Sequence, residues 1–473
     1  MHPVWYIIII TTSLILLNSI RKLIRNKKKR DMKIENHQNY LQSIEQNETK
    51  KPNIIIFFMD DLGFADISCY GATNIQTPNI DSLAENGVKF TTFYSSSPVC
   101  SPSRAGLLTG RHPLRMHIPH VFFPTKTLYG HMINRFILMN SYGVKGLLED
   151  EITIPEALKQ AGYATGMLGK WHLGDKSPHL PNDKGFDFFY GAHYSNDMKP
   201  YAIWKNKEID QPAPADQNNL TKSLTREGVK FIRENQDKPF YLHYCQPFPH
   251  DPLHASEEFR GTSKGGLYGD AVQEVDWSVG EILKTLDELK LRENTLIILT
   301  SDNGPWHEGN PGFHRGRKAL PFEGGQRVPF IASFPGVIPK NVEIDEMAMN
   351  TDLFPTILSL VGIPLPEDRI YDGKDIMPLL NGTEKETFHD FLYYHVGKRI
   401  LAIRNKHYKY HTRHRSDNAN YATMKTRPML FDMKRYDQES YDQIHHHPEE
   451  AEKLKVKLEE FHDELKRNPR GWI

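Results

Sequence analysis

The chain has 473 residues, with 59 basic and 59 acidic side chains and therefore a formal net charge of zero. That balance lacks the broad basic excess of a nucleic-acid-binding surface. A hydrophobic content of 38% with 32 Gly and 31 Pro excludes a fibrous or disordered chain and suits a loop-rich globular enzyme. Three cysteines, Cys69, Cys100 and Cys245, are too few for a disulfide framework.

In chain order, Val4–Ile20 is apolar or weakly polar for 17 positions, and residues 1–20 read as a signal anchor or signal peptide. No small-residue cleavage site follows. Instead, seven of the ten residues from Arg21 to Arg30 are basic, which by the positive-inside rule would keep the following domain cytoplasmic. Residues 31–51 are polar, lack an apolar period and are expected to form a stalk, giving a basic and polar segment over 21–51.

Folded structure is expected from Asn53–Met59, a continuous apolar run of buried-strand type that ends in Asp60-Asp61-Leu62-Gly63. A matching run, Thr295–Thr300, ends in Ser301-Asp302-Asn303-Gly304. Two buried strands delivering carboxyl and amide groups at their C-terminal ends suit an open α/β sheet, where ligands bind. Thr165–Leu168 and Pro239–Tyr244 are further central strands. Helices are expected over Ile154–Gly162, Ala271–Lys290 and Thr351–Val361. The segment His117–Lys145, rich in aromatics and methionine, reads equally as an apolar lid or a packed surface helix. After Asp375 the character changes. Phe391–Tyr394, Ile400–Ile403, Tyr408–His411 and Met429–Asp432 predict short antiparallel strands, with a charged terminal helix over Pro448–Arg467. His445-His446-His447 reads as a solvated cluster at that helix's start.

Asp60, Asp61, Asp302 and Asn303 are all oxygen donors, which favours a hard cation such as calcium or magnesium over zinc. Adjacent ionised acids at a strand end need a counter-ion. Arg104 lies four residues after Cys100, on the same face if the run Cys100–Arg111 enters a helix. Lys170 and His172 flank Trp171 in a Gly-bounded motif and point the same way in an extended segment. Lys318 sits in a Gly-rich basic stretch. Positive groups converging on a metal make a site for a tetrahedral oxyanion. His250, after the Pro239–Tyr244 strand, is a candidate general acid, with His243 and His254 competing on residue chemistry alone.

The run Cys100-Ser101-Pro102-Ser103-Arg104-Ala105-Gly106-Leu107-Leu108-Thr109-Gly110-Arg111 resembles the signature of the sulfatase family, within the alkaline phosphatase superfamily. Tyr268–Gly280 and Pro364–Ile370 are similar to its steroid sulfatase and arylsulfatase branch, and the likeness runs from about Pro52 to beyond Asp375. The resemblance implies that Cys100 is oxidised to formylglycine, made by a formylglycine-generating enzyme. It implies that Asp60, Asp61, Asp302 and Asn303 hold one calcium ion together with that residue. Arg104 would balance charge, and Lys170 and Lys318 would bind sulfate oxygens. His172 would assist the hydrated aldehyde, and Lys318 with His250 would favour departure of the alcohol; the spacing of His250 to Tyr268-Gly269-Asp270 selects it over its neighbours. One hydroxyl of the aldehyde hydrate would attack sulfur, and the second would then expel sulfate, splitting the reaction into two steps.

The expected architecture is α/β, with a large mixed, mainly parallel central sheet flanked by helices over residues 52–385. A smaller C-terminal α+β subdomain on a short antiparallel sheet occupies 386–473. The expected activity is arylsulfatase-like hydrolysis of small sulfate esters, membrane-anchored or in the secretory pathway, with no nucleic-acid partner. Family members usually work outside the cytoplasm, opposite to the indication of the basic cluster. Residues 187–238 are short and polar where steroid sulfatase carries a hydrophobic helical hairpin, which argues against a steroid substrate. Rival readings are a phosphodiesterase or phosphonate monoester hydrolase of the same superfamily, and an inactive membrane-anchored binding protein.

Overall fold

The computed structural model describes residues 16, 21, 27–28, 30–46, 51–125, 143–413 and 427–473. The strand Asn53–Met59 is buried at all seven positions because its alternate residues feed two cores. Ile54, Ile56 and Phe58 join one apolar cluster; Ile55, Phe57 and Met59 join the other. Leu296 and Ile298 against Ile297 and Leu299 repeat the pattern on the strand Thr295–Ser301. Helices cover both faces, so no strand needs a polar side. Cys100–Thr109, Ile154–Gln160 and Leu353–Leu360 pack on one face, and Leu220–Glu234 and Gly266–Glu288 on the other.

Among the described residues the main sheet has ten strands. At its centre five neighbours run parallel: Thr295–Ser301, Asn53–Met59, Phe240–Gln246, Ala164–Lys170 and Phe188–Ala192. Antiparallel pairings begin outside them, with Phe330–Ser333 on one side and Ile203–Lys205 on the other. This is the mixed, mainly parallel sheet expected, and its five central C-terminal ends open at one edge.

The helix expected over Ala271–Lys290 begins a turn earlier, at Gly266. Tyr268 there is buried and its hydroxyl meets Asp66, so tertiary contacts hold a turn whose glycines conceal it in the sequence. The expected stalk is also corrected. Residues 30–43 are helical, and Tyr40, Leu41 and Ile44 pack against the main core. His37 is buried with its Nδ1 2.9 Å from the Glu149 carbonyl, and the Tyr40 hydroxyl donates to the Pro364 carbonyl at 2.9 Å. The apolar positions are spaced by three and four, too sparse among charges to stand out until a partner surface exists. The expected signal segment 1–20, apart from Leu16, lies outside the described residues, as do residues 126–142 of the aromatic segment. Among the described residues no helix is long and apolar enough to cross a membrane. Residues 187–238 form the central strand Phe188–Ala192, the outer strands Ile203–Lys205 and Glu208–Gln211, and the amphipathic helix Leu220–Glu234.

Beyond the main sheet, Leu392–Val396, Arg399–Arg404, Tyr408–His411 and Met429–Asp432 make a four-stranded antiparallel sheet. The terminal helix Pro448–Arg467 covers it through Leu454, Leu458, Phe461 and Leu465. Buried ion pairs fasten the end of the chain to the main body. Glu151 takes Arg111 at 2.7 Å and Arg470 at 2.6 Å, and the rings and planes stack where Arg369 and Arg470 lie 4.7 and 5.0 Å from the Trp472 centroid. Burial alone would raise the Glu151 carboxyl, but Arg111, Arg470 and Arg369 hold it down, to about 2. Removing the carboxylate strands buried cations, so Glu151→Gln is expected to cost about 3–5 kcal/mol in urea unfolding at neutral pH. Because the folded value is depressed from 4.5, this contribution is present above that pH and fades as pH falls toward about 2. The gap between variant and wild type should therefore shrink on acidification.

Candidate active site

Each central parallel strand ends in a functional group. Asn53–Met59 runs into Asp60 and Asp61, and Thr295–Ser301 into Asp302 and Asn303. Ala164–Lys170 ends on Lys170, with His172 two residues on, and Phe240–Gln246 leads through a proline-rich loop to His250. The fifth strand, Phe188–Ala192, leads to Ser195. Asp61 and His172 both take left-handed backbone, φ 64° and 61°. Non-glycine residues hold such angles only where surrounding structure enforces them.

Facing these ends is the helix Cys100–Thr109, buried along its whole length and closed by Gly110 at φ 69°. Cys100 opens the first turn, and its Sγ lies 3.5 Å from Asp60 Oδ1. One helical turn on, Arg104 reaches the same carboxylates. Its Nη2 is 2.8 Å from Asp302 Oδ2 and 3.5 Å from Asp60 Oδ1, while Nη1 donates to the Lys170 carbonyl at 2.9 Å.

Two ammonium groups complete the charge pattern. Lys170 Nζ meets Asp60 Oδ2 at 2.6 Å, and Lys318 Nζ meets Asp61 Oδ2 at 2.7 Å. Three carboxylates thus face three cations in a region almost closed to solvent. The distribution is uneven. Burial would raise the Asp60 carboxyl, but Lys170, His250, Arg104 and Lys318 hold it well below the usual range. At Asp302, burial and then the Asp60 charge push the carboxyl up, to about 7, against Arg104 and Lys170. One acid is left under-compensated.

The residues present fit a hard cation. Asp60, Asp61, Cys100 and His250 each offer a ligand atom within 4.8 Å of the others. Asn303 Nδ2 donates to Asp61 Oδ1 at 2.7 Å, while Asn303 Oδ1 is buried without a hydrogen-bond partner. A buried carbonyl oxygen aimed nowhere else, beside three carboxylates, has the donor chemistry of a calcium or magnesium site.

His250 Nε2 lies 3.7 Å from Asp61 Oδ2 and 3.4 Å from Ser195 Oγ, and its Nδ1 meets the Asp251 carbonyl. His243 is buried mid-strand against the Tyr241 hydroxyl, and His254 pairs with Asn218. Neither competes for the site. His172 Nε2 meets the Phe122 carbonyl at 2.9 Å, leaving Nδ1 buried without a partner. Sequence reasoning missed Ser195, whose hydroxyl takes Lys170 Nζ at 3.1 Å and so bridges Lys170 to His250. The available signal was its place just beyond a strand adjoining the Lys170 strand.

A model of the family "Sulfatase" matches residues 52–363, and one of "N-sulphoglucosamine sulphohydrolase, C-terminal" matches 311–468. The chain belongs to the sulfatase family. This sulfatase is 37% identical over 452 residues to human steryl-sulfatase, covering 77% of this chain and 76% of that protein. It is 38% identical over 386 residues to the N-acetylgalactosamine-6-sulfatase of Canis lupus familiaris, covering 76% and 71%. Among solved structures it superposes on the PsFucS1 sulfatase of Pseudoalteromonas sp. with a TM-score of 0.77 at 26% identity, over 93% of this chain and 95% of that one. The chain is accordingly an enzyme, a sulfuric ester hydrolase.

If the oxygen cluster holds calcium, excess Ca2+ should raise the melting temperature of the sulfatase, and by about 2–4 kcal/mol of stability at saturating ion. Asp60→Asn should abolish that response, as read by scanning calorimetry with and without chelator.

Proposed function

We propose that this sulfatase cleaves small sulfate monoesters, aryl sulfates among them, with formylglycine made from Cys100 and one calcium ion held by Asp60, Asp61, Asp302, Asn303 and the modified residue. The observation that carries the reading is Cys100 itself, at the buried start of a helix, 3.5 Å from Asp60 and ringed by Arg104, Lys170 and Lys318. Burial pushes its thiol up despite Lys170 and Lys318, so the unmodified side chain is a protonated, weak nucleophile. Formylglycine, as its hydrate, supplies one hydroxyl to attack sulfur and a second to expel sulfate. Because Cys100 is buried, a formylglycine-generating enzyme must reach it before this helix packs. The N-terminal segment would hold the enzyme to a membrane or route it into the secretory pathway.

The electrostatics suit an anionic ester. Three carboxylates balance Arg104, Lys170 and Lys318, so a bound divalent ion leaves a net positive site for a sulfate group. Lys170 and Lys318, already at the oxygens of Asp60 and Asp61, are placed to share their protons with sulfate oxygens. The carbonyls fix both histidine tautomers, since a carbonyl only accepts. His250 Nδ1 donates to Asp251, so Nε2 is the atom that faces the site and, when protonated, gives its proton to the departing alcohol. Burial lowers the His250 pKa, against Asp60 and Asp61, which makes that proton easier to release. His172 Nε2 donates to Phe122, leaving Nδ1 as the acceptor for a hydroxyl proton. Burial, then Lys170, hold its pKa well below the ordinary value, and the ring stays neutral.

Three measurements test the reading. The purified enzyme should turn over 4-nitrophenyl sulfate with a higher kcat/KM than 4-nitrophenyl phosphate, and the reverse order would favour a phosphoester hydrolase. Peptide mass spectrometry should find the Cys100 peptide lighter by the change from CH2SH to CHO; a wholly unmodified peptide from the native host overturns the mechanism. His250→Ala should slow an alkyl sulfate by about 10²–10⁴-fold. It should slow the nitrophenyl ester far less, because nitrophenolate leaves without a proton.

A further inference from the structure

Lys318 lies on a long loop between Asn303 and the short helix Glu323–Gln326, and the main sheet does not hold that loop. Its backbone is tied near the site by Lys318 N to the Pro305 carbonyl at 3.0 Å and Ala319 N to the Pro98 carbonyl at 2.8 Å. Its far end is tied to the C-terminal subdomain. The Glu323 backbone N–H donates to Glu439 Oε2 at 2.7 Å, and Arg315 N to the Gln438 carbonyl at 3.3 Å. Glu439 is wholly buried at φ 59°, and its Oε1 takes His411 Nε2 at 2.7 Å and Lys409 Nζ at 3.1 Å. The Glu323 carboxylate accepts from Lys409 at 2.8 Å and from the Tyr94 hydroxyl at 2.6 Å. Phe322 stacks on His411 at 4.9 Å and sits among Met429, Phe431 and Met433.

Between Lys318 and this anchor the loop has little freedom. Gly324 N donates to the Arg315 carbonyl at 2.7 Å and Gly304 N to the Gly325 carbonyl at 2.9 Å. Carbonyl oxygens crowd the space a side chain would take at Gly304, Gly324 and Gly325. Hydrogen bonds thus link the short helix at Glu323 to Gly304, next to Asn303, and to Arg315 on the Lys318 loop.

We infer that Glu439 is a positioning residue of the C-terminal subdomain, which sets Lys318 for sulfate through the Glu323 backbone. The inference rests on the reading of Lys318 as a sulfate-binding residue. A role confined to stability would lower the melting temperature without a selective loss of sulfate affinity.

The test compares the full-length wild type with Glu439→Gln, Lys318→Ala and the double variant. It reads the inhibition constant of inorganic sulfate against 4-nitrophenyl sulfate and, independently of turnover, sulfate binding by calorimetry. Glu439→Gln should weaken sulfate by about tenfold or more, the scale expected for a small misplacement of a site group. In the Lys318→Ala background the same substitution should add less than about twofold, the non-additivity of residues acting through one another. Unchanged sulfate affinity in Glu439→Gln, or an undiminished penalty in the double variant, overturns the proposal. Should Glu439→Gln fail to fold, Phe322→Leu loosens the same strut without touching a charge, and the same cycle with Lys318→Ala applies. If Lys318→Ala alone leaves sulfate affinity intact, the reading of Lys318 as a sulfate-binding residue fails and the inference falls with it, whereas a weakened Lys318→Ala beside an unchanged Glu439→Gln overturns the inference alone.

Discussion

Everything at this site depends on holding the carboxyl groups of Asp60, Asp61 and Asp302 together out of water. Isolated, such a group of buried carboxylates would neutralise by taking up protons. Arg104, Lys170 and Lys318 oppose this, each from a different part of the chain: a helix, a strand end and a loop. The balance is uneven, with Asp60 held low and Asp302 pushed up, and beside Asp61 the buried Asn303 oxygen stands without a hydrogen-bond partner.

The fold serves this arrangement by geometry. Five parallel strands with both faces buried must end along one edge, and Asp61 and Asn303, 242 residues apart in sequence, become neighbours there. The helix from Cys100 closes the edge from above, placing Cys100 and Arg104 one turn apart over the same carboxylates. The C-terminal subdomain is more than an appendage. Through Glu151 with Arg470, and Glu439 with Glu323, it is joined to the main body by buried charge, where a lost partner costs more than a lost surface contact.

The strands Asn53–Met59 and Thr295–Ser301 were readable because continuous apolar runs of strand length have few other uses. The strands of the terminal sheet and the helix Pro448–Arg467 emerged nearly residue for residue, each bounded by a turn or a proline. The helix over 30–43 did not. Its few apolar positions, Tyr40 among them, gain meaning only against a surface formed by residues hundreds of positions away. Ser195 was silent for the same reason: a lone serine has no periodicity or motif, and its partners Lys170 and His250 come from other strands.

The sequence by itself determined the chemistry available. The sulfatase signature after Cys100, the acid and amide pairs at two strand ends, and the lysine and histidine motifs are local patterns that need no partner to be recognised. The resemblance already favoured His250 by its spacing, and the tertiary structure assigned the partners. It set His250 toward Asp61 while His243 was spent on Tyr241. It paired each ammonium group with its own carboxylate, and it tied the Lys318 loop to Glu439. Those choices turn on burial and on distances of a few ångströms between residues far apart in the chain, quantities that exist only once the backbone has closed.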